Sequence, residues 1–188
     1  AIGFFPVSAV NGGFGLTPFL TVDEGDPLLD WDMNLGGQID RFMVDMQADD
    51  ITGATAVLLT GLNDFGNLDL SAPLDDLIDQ AETIGLNALN AIIGATSTLY
   101  GVGAVSSVIL MSLPSLSFFP AFFGESDEIK TAAEEVIGQF NDALHQFSTD
   151  AAGQLPGLEL SVLPLEALTE AVSDDATGFG FLAPQSDT

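Results

Sequence analysis

The sequence contains no cysteine, one histidine and only two permanently cationic side chains. Without cysteine there can be no disulfide, no thiolate nucleophile and no cysteine-based zinc site. The two cations, Arg41 and Lys130, stand against 28 carboxylates, which gives a net charge of −26. This charge repels nucleic acid and anionic membrane surfaces, so we expect no nucleic-acid partner. It also leaves few salt bridges, so the fold must depend on burial and backbone hydrogen bonds.

The many carboxylates do not form a metal-binding motif. Carboxylates are hard oxygen ligands that suit Ca²⁺, but the chain has no Asp-x-Asp-x-Asp-Gly loop. We therefore expect no specific metal site, and nothing in the composition indicates a cofactor. The acidity is typical of a protein in a salty or calcium-rich medium, or of one selected for solubility.

A long uncharged stretch, residues 83–124, raises the question of a membrane span. Within it, Ala91 to Leu113 is long enough to cross a bilayer. Several glycines and hydroxyl side chains interrupt this segment, and no Lys or Arg flanks it to set an orientation. A helix, a glycine turn and a buried strand explain the same composition, so we expect no membrane span.

The length and the apolar content of 47% suit one domain with a full core. Residues 1–34 are rich in Gly, Pro, Phe and Asp and form a loop-rich lead-in, whereas regular hydrophobic periodicity begins at Leu35. Short apolar runs alternate with helical patterns in the order β-α-β-α-β-α, which predicts an α/β fold with a mainly parallel sheet between two helix layers. We expect strands at 55–60, 105–111 and 158–163. We expect helices from Leu35 to about Asp49 and at 71–100, 126–152 and 164–172. Ser71 is a possible N-cap of the second helix, and Ser126 is a capping candidate for the third.

The stretch AVLLTGLNDFG, residues 56–66, carries the most chemical information. Its apolar half predicts a buried strand, and Gly61 and Asn63 follow directly at the strand's carboxyl end. In open α/β sheets that edge is where ligands bind. An Asn held there by a glycine turn can direct its amide N–H at a developing oxyanion. An ordinary turn is the alternative, because Gly, Asn and Asp are turn residues.

Several segments in order resemble the GDSL-like (SGNH) hydrolases, in particular the lipase, esterase and hemolysin-like branch. The resemblance covers roughly Leu35 to Phe181. It rests on GGQIDRF, VLLTGLNDFGNL, VILMSLPSLSFFP, VIGQFNDALHQF, PGLELSVLPLEAL and the late GFGF. It implies an SGNH, flavodoxin-like three-layer α/β/α domain, of which residues 35–188 are the central and C-terminal part.

In that family a serine of a Gly-Asp-Ser block attacks an ester, and a late Asp-x-x-His supplies the general base. The resemblance implies that Asn63 is an oxyanion-hole donor, that Gly61 is its turn, and that Gly13, in Asn-Gly-Gly, is a weaker candidate for the second donor. The sequence has no Gly-Asp-Ser and no late histidine. We therefore expect a chain that lacks the first strand and the C-terminal catalytic block, and that is catalytically incomplete in isolation.

The remaining candidate residues have weaker support. His145 is predicted to be an exposed helix histidine, and Ser8 lacks the strand-turn-helix that presents a nucleophile. Asp64 and Asp69 could be taken as an acid–base pair, but neither has an evident partner. Four phenylalanines, at 118, 119, 122 and 123, either line an acyl pocket or an interfacial lid, or seal the edge of the sheet.

Two functional hypotheses follow. The first is part of a secreted serine ester hydrolase, extracellular or periplasmic, that acts on acyl-ester or lipid substrates, with a second polypeptide as a possible source of the Ser and His blocks. The second is a non-catalytic protein derived from the same fold, which serves as a structural or interaction subunit of a larger assembly.

Overall fold

The computed structural model describes residues 34–45, 53–103, 105–116, 119 and 122–180, except for the side chains of Arg41 and Asp45. The helices are α1 (Leu35–Asp45), α2 (Leu62–Phe65), α3 (Leu74–Gly101), α4 (Asp127–Gln154) and α5 (Leu165–Asp174), and the strands are β1 (Ala54–Leu58), β2 (Val105–Met111) and β3 (Glu159–Leu163).

The three strands form one parallel sheet in the order β1-β2-β3. Leu58 of β1 is in register with Leu110 of β2, which in turn pairs with Val162 of β3. Each strand is joined to the next through a long helix, as parallel pairing requires. The predicted α/β class and the parallel pairing are therefore confirmed.

Helices α3 and α4 lie on the same face of this sheet. They pack against each other, and α3 contacts β2 while α4 contacts β3. Right-handed crossovers between sequential neighbours place successive helices on one face, which explains the arrangement. The described residues thus form one helix layer, and the second layer of the predicted α/β/α architecture stays a prediction.

The core lies between the sheet and the α3–α4 layer. Val108 and Leu110 of β2 are almost fully buried there. The predicted helical stripes are largely confirmed, although Ile84, Ile129 and Phe147 are only half-buried. The buried members are, on α3, Leu77, Ala81, Ala88, Ile92 and Ala95 and, on α4, Ala133, Val136, Phe140 and Leu144.

The opposite face of the sheet is less well covered. Alternation along the strands puts Ile109 and Met111 of β2 on that face, both half-buried, next to Leu163 of β3. Leu163 is 45% exposed. Helix α5, which directly follows β3, has no buried residue. An apolar surface therefore remains open on this side among the described residues.

The observed helix starts differ from the expected ones in one place. Ser126 caps α4 as predicted, since its side chain accepts the N–H of Ile129 at 3.3 Å. Ser71 does not cap α3, because its N–H and hydroxyl both donate to Asp69. Helix α3 instead begins at Leu74, with Pro73 as its N-cap residue.

The uncharged segment from Ala91 to Leu113 is divided between two elements. It comprises the last turns of α3, a turn in which Gly103 has a φ of 69°, and strand β2. Of the helices that the structure describes, none combines the length and the apolar character needed to cross a bilayer.

Candidate functional site

Gly61 lies just beyond the carboxyl end of β1, in a position that only glycine adopts without strain. Its φ is 105° and its ψ is −36°. A Cβ at this position would lie 3.6 Å from both Leu113 Cδ1 and Phe140 Cζ, and 3.7 Å from Ala88 Cβ. The turn is therefore enclosed by the exit of β2 and by both long helices, and its direction is set by packing.

Asn63 lies in the one-turn helix α2, directly after the Gly61 turn. The Gly61 carbonyl accepts the N–H groups of Asp64 (3.0 Å) and Phe65 (3.4 Å). Asn63 itself is half-buried, and its carbonyl accepts the side-chain amide of Asn67 at 3.3 Å. Its position at the carboxyl end of β1 is the edge that the sequence predicted.

Phe65 anchors α2 in the core. Its ring meets that of Phe140 edge-on, with centroids 6.3 Å apart and planes at 83°. Phe65 is 2% exposed, and its Cζ faces Gly85, where an added Cβ would be 3.5 Å away. The geometry is the one that aromatic quadrupoles favour. Packing therefore holds the backbone two residues after Asn63.

The exit of β2 is held by a residue that the sequence analysis did not identify. Asn141 of α4 accepts the N–H of Leu113 at 2.8 Å and donates its side-chain amide to the Leu113 carbonyl at 2.9 Å. Asn141 is buried, as is Leu113. The available signal was position: Asn141 follows the core residue Phe140, and a polar side chain at the margin of a buried stripe must find partners.

Ser112 joins the exits of β2 and β3. Its N–H donates to the Leu163 carbonyl at 3.1 Å, and its hydroxyl donates to the same oxygen at 3.3 Å. The same hydroxyl accepts the N–H of Leu165 at 2.7 Å. Because Ser112 is fully buried and occupied in this way, its role is to fasten α5 to the sheet.

A second serine, Ser115, bonds a carboxylate. Its hydroxyl donates to Glu134 Oε1 at 2.5 Å. Nucleophilic activation of a serine needs a base such as an imidazole within hydrogen-bond reach. The chain's one histidine, His145, is exposed on α4, as predicted. Within the part of the chain that the structure describes, no serine is hydrogen-bonded to this histidine.

Asp64 and Asp69, the two carboxylates of the possible acid–base pair, occupy different environments. Asp64 is 1% exposed, whereas Asp69 is at the surface. The hydroxyl of Ser71, and then its backbone N–H, donate to Asp69 and hold the pKa of this carboxyl below its usual range. These contacts close a turn before α3. In the described ranges, no group of three or more acidic or histidine side chains is arranged to hold a metal.

The phenylalanine segment divides between core and surface. Phe122 is 4% exposed, whereas Phe123 is 65% exposed; Phe119 packs against the core, and Phe118 lies outside the described residues. Phe122 also lines a small apolar depression, together with Leu68 and Leu77, whose volume is about 10 Å³. This volume is below the range of typical ligand pockets. Phe119 and Phe122 thus mainly seal the structure.

Two other candidate residues, Ser8 and Gly13, lie outside the described residues. The only tyrosine, Tyr100, donates its hydroxyl to the Pro156 carbonyl at 3.1 Å. This bond ties the end of α3 to the segment between α4 and β3, which is a structural role.

Comparison of the chain with protein-family models and with curated proteins found no match.

Proposed function

We propose that this chain contributes the oxyanion-hole part of a serine ester hydrolase of the SGNH type. In this proposal the side-chain amide of Asn63 stabilises the oxyanion of an acyl ester, and Gly61 sets its direction. The nucleophilic serine and the general-base histidine come from outside the described residues. The substrate is an acyl or lipid ester, and the protein acts outside the cytoplasm, as the resemblance implies.

One observation carries the proposal: Gly61, which has a positive φ and is enclosed by three packing neighbours, lies two residues before a half-buried asparagine at the carboxyl edge of a parallel sheet. An ordinary surface turn needs no such enclosure. An oxyanion donor does, because it stabilises charge only when its direction is fixed before the reaction. The sheet edge is also where α/β proteins bind their ligands.

The proposed domain is the three-layer SGNH type, completed by a strand and helices beyond those described. Among the described residues β1 pairs with β2 alone. Neighbouring strands lie about 4.8 Å apart. A serine at the end of a strand next to β1 would therefore be closer to Asn63 than one added beyond β3.

The test is labelling with a fluorophosphonate probe, applied to the protein together with any polypeptides that purify with it, followed by peptide mapping. Labelling of a serine in a Gly-Asp-Ser block is expected. Asn63→Ala should slow labelling about 10²–10³-fold, which is the usual effect of removing one oxyanion-hole donor. Asn90→Ala is the matched control, because Asn90 is an exposed asparagine on α3.

Equal labelling rates for the Asn63 and Asn90 variants would remove Asn63 from the mechanism. Labelling of Ser8 would identify a different nucleophile. The natural gene should also be sequenced upstream of the codon for Ala1. If neither that sequence nor a co-purifying polypeptide contains a Gly-Asp-Ser block, the hydrolase proposal fails.

A second candidate function is a non-catalytic interaction subunit. The observation in its favour is the open sheet face with Leu163, beside a helix α5 that buries none of its residues. Parallel sheets are normally covered on both faces, so a partner protein that covers this face would complete the structure.

Analytical ultracentrifugation at micromolar concentration distinguishes this candidate. An interaction subunit should sediment in an assembly that Leu163→Asp weakens and that Leu86→Asp, on an exposed position of α3, leaves intact. A stable monomer with cooperative unfolding would count against this function.

A further inference from the structure

Two consecutive residues of α4 contact the segments that directly follow β1 and β2, here called the β1 exit (at Gly61) and the β2 exit (at Leu113). Phe140 contacts the β1 exit, since its ring packs against Phe65 and lies 3.6 Å from the Cβ position of Gly61. Asn141 contacts the β2 exit through its two hydrogen bonds to the backbone of Leu113. The two exits are therefore fastened to one helix turn.

The exits also touch each other. Leu113 is fully buried, and its Cδ1 lies 3.6 Å from the Cβ position of Gly61. Asn141 thus acts on Gly61 through one intermediate residue, although nothing in the described contacts joins Asn141 to Asn63 directly. A side-chain amide that accepts the N–H and donates to the carbonyl of the same residue holds the peptide units on both sides of that residue, and so fixes the distance and the rotation of the Leu113 backbone.

We propose that Asn141 is a positioning residue for the Asn63 turn. It fixes the position of Leu113, which packs against Gly61, and so determines the direction of the Asn63 side-chain amide. A functional group must be held within about 0.5 Å of its productive position, and a surrounding shell of packed and hydrogen-bonded residues provides this. The inference rests on the proposed function for its chemical meaning, but the mechanical coupling can be tested without any activity.

The test is amide hydrogen exchange on Asn141→Leu, with Asn90→Leu as the matched control. Leucine has the same number of side-chain heavy atoms and the same branch point as asparagine but cannot bond Leu113, whose N–H and carbonyl then lose their partners. Loss of these buried bonds should speed exchange at residues 61–66 at least about tenfold beyond the change at the interior amides of α3. The control should leave residues 61–66 at the wild-type rate.

A uniform acceleration across α3, α4 and residues 61–66 would mean that Asn141 serves general stability only, and would overturn the proposal. So would an increase confined to residues 112–116, because the turn would then be independent of Leu113.

A second measurement covers the case in which the variant does not fold. In the wild-type protein under low urea, the amides of Leu113 and Asp64 should exchange through one shared opening, with the same free energy and urea dependence. Two distinct openings would contradict the coupling.

The outcomes separate this inference from the proposed function. If exchange is coupled but Asn63→Ala does not slow probe labelling, the positioning role stands and the oxyanion role fails. If labelling depends on Asn63 but exchange is uncoupled, the opposite holds.

Discussion

Replacing Gly61 by alanine tests the reasoning about the site most directly. An alanine Cβ would make only ordinary van der Waals contacts, at 3.6–3.7 Å, with Leu113, Phe140 and Ala88. The added methyl therefore fits the available space. The cost comes from the backbone, because a φ of 105° with a ψ of −36° lies in a region that L-residues rarely occupy.

A residue forced into such a region costs about 1–3 kcal/mol. For a domain of this size each kcal/mol lowers the melting temperature by about 2–4 °C. Gly61→Ala should therefore melt about 2–12 °C below the wild type. Gly94→Ala is the matched control: Gly94 lies inside α3 with nothing within 4 Å of the added Cβ. Alanine there should stabilise the helix by about 0.5–1 kcal/mol, so the two variants should shift in opposite directions.

The assay is thermal unfolding followed by circular dichroism at 222 nm, with urea unfolding to obtain the free energy at 25 °C. If Gly61→Ala unfolds like the wild type, or if both variants shift in the same direction, the backbone at Gly61 is not strained for alanine. The argument that the Asn63 turn requires glycine would then be refuted.

Three further predictions follow from the charge and the polar contacts. Added salt near neutral pH should raise the melting temperature, because it screens repulsion within a chain of net charge −26; a melting temperature independent of salt would show that the repulsion is insignificant. Ser71→Ala should raise the pKa of Asp69 towards its usual range, since the Ser71 hydroxyl is the main cause of its lowering. A carboxyl with a lowered pKa stabilises the fold above its unfolded-state pKa, and this stabilisation is lost as the pH falls through its folded-state pKa. The Ser71→Ala variant should therefore lack this pH-dependent stabilisation. Carboxyl NMR titration measures the pKa of Asp69, and an unchanged value would contradict the role of the Ser71 hydroxyl. Thr96→Val should raise the free energy of unfolding by about 1 kcal/mol, because the buried Thr96 hydroxyl has no hydrogen-bond partner among the described residues. Thr98→Val, which removes a 2.9 Å bond to the Gly94 carbonyl, should not stabilise the protein in the same urea titration.

Periodicity predicted most of the described elements because local pattern and burial agree there. Strand β2 has the predicted bounds, Val105–Met111, since one face of its apolar run packs on the helix layer, where Val108 and Leu110 are buried. Helix α4 begins after the predicted cap, Ser126, because capping is satisfied within four residues of chain. Helix α3 was expected to start at Ser71, but a competing local contact, with Asp69, takes that side chain.

The site was predicted only in part. Gly61 and Asn63 were identified from their position after an apolar run; the positive φ of Gly61 confirms the glycine turn, and the role of Asn63 stays a prediction. Asn141 was missed because its partner, Leu113, is 28 residues away in sequence. A local sequence pattern does not indicate which distant backbone N–H and carbonyl a side-chain amide will bond.

The sequence by itself determined the α/β class, the parallel pairing and the glycine turn at Gly61, because these follow from local residue patterns and from their order along the chain. Only the tertiary structure decided that α3 and α4 share one face of the sheet, that the opposite face stays open among the described residues, and that Leu113, Phe140 and Ala88 enclose the turn. These are contacts between segments far apart in the chain, and their geometry follows from how the helices pack on the sheet, which hydrophobic periodicity alone does not specify.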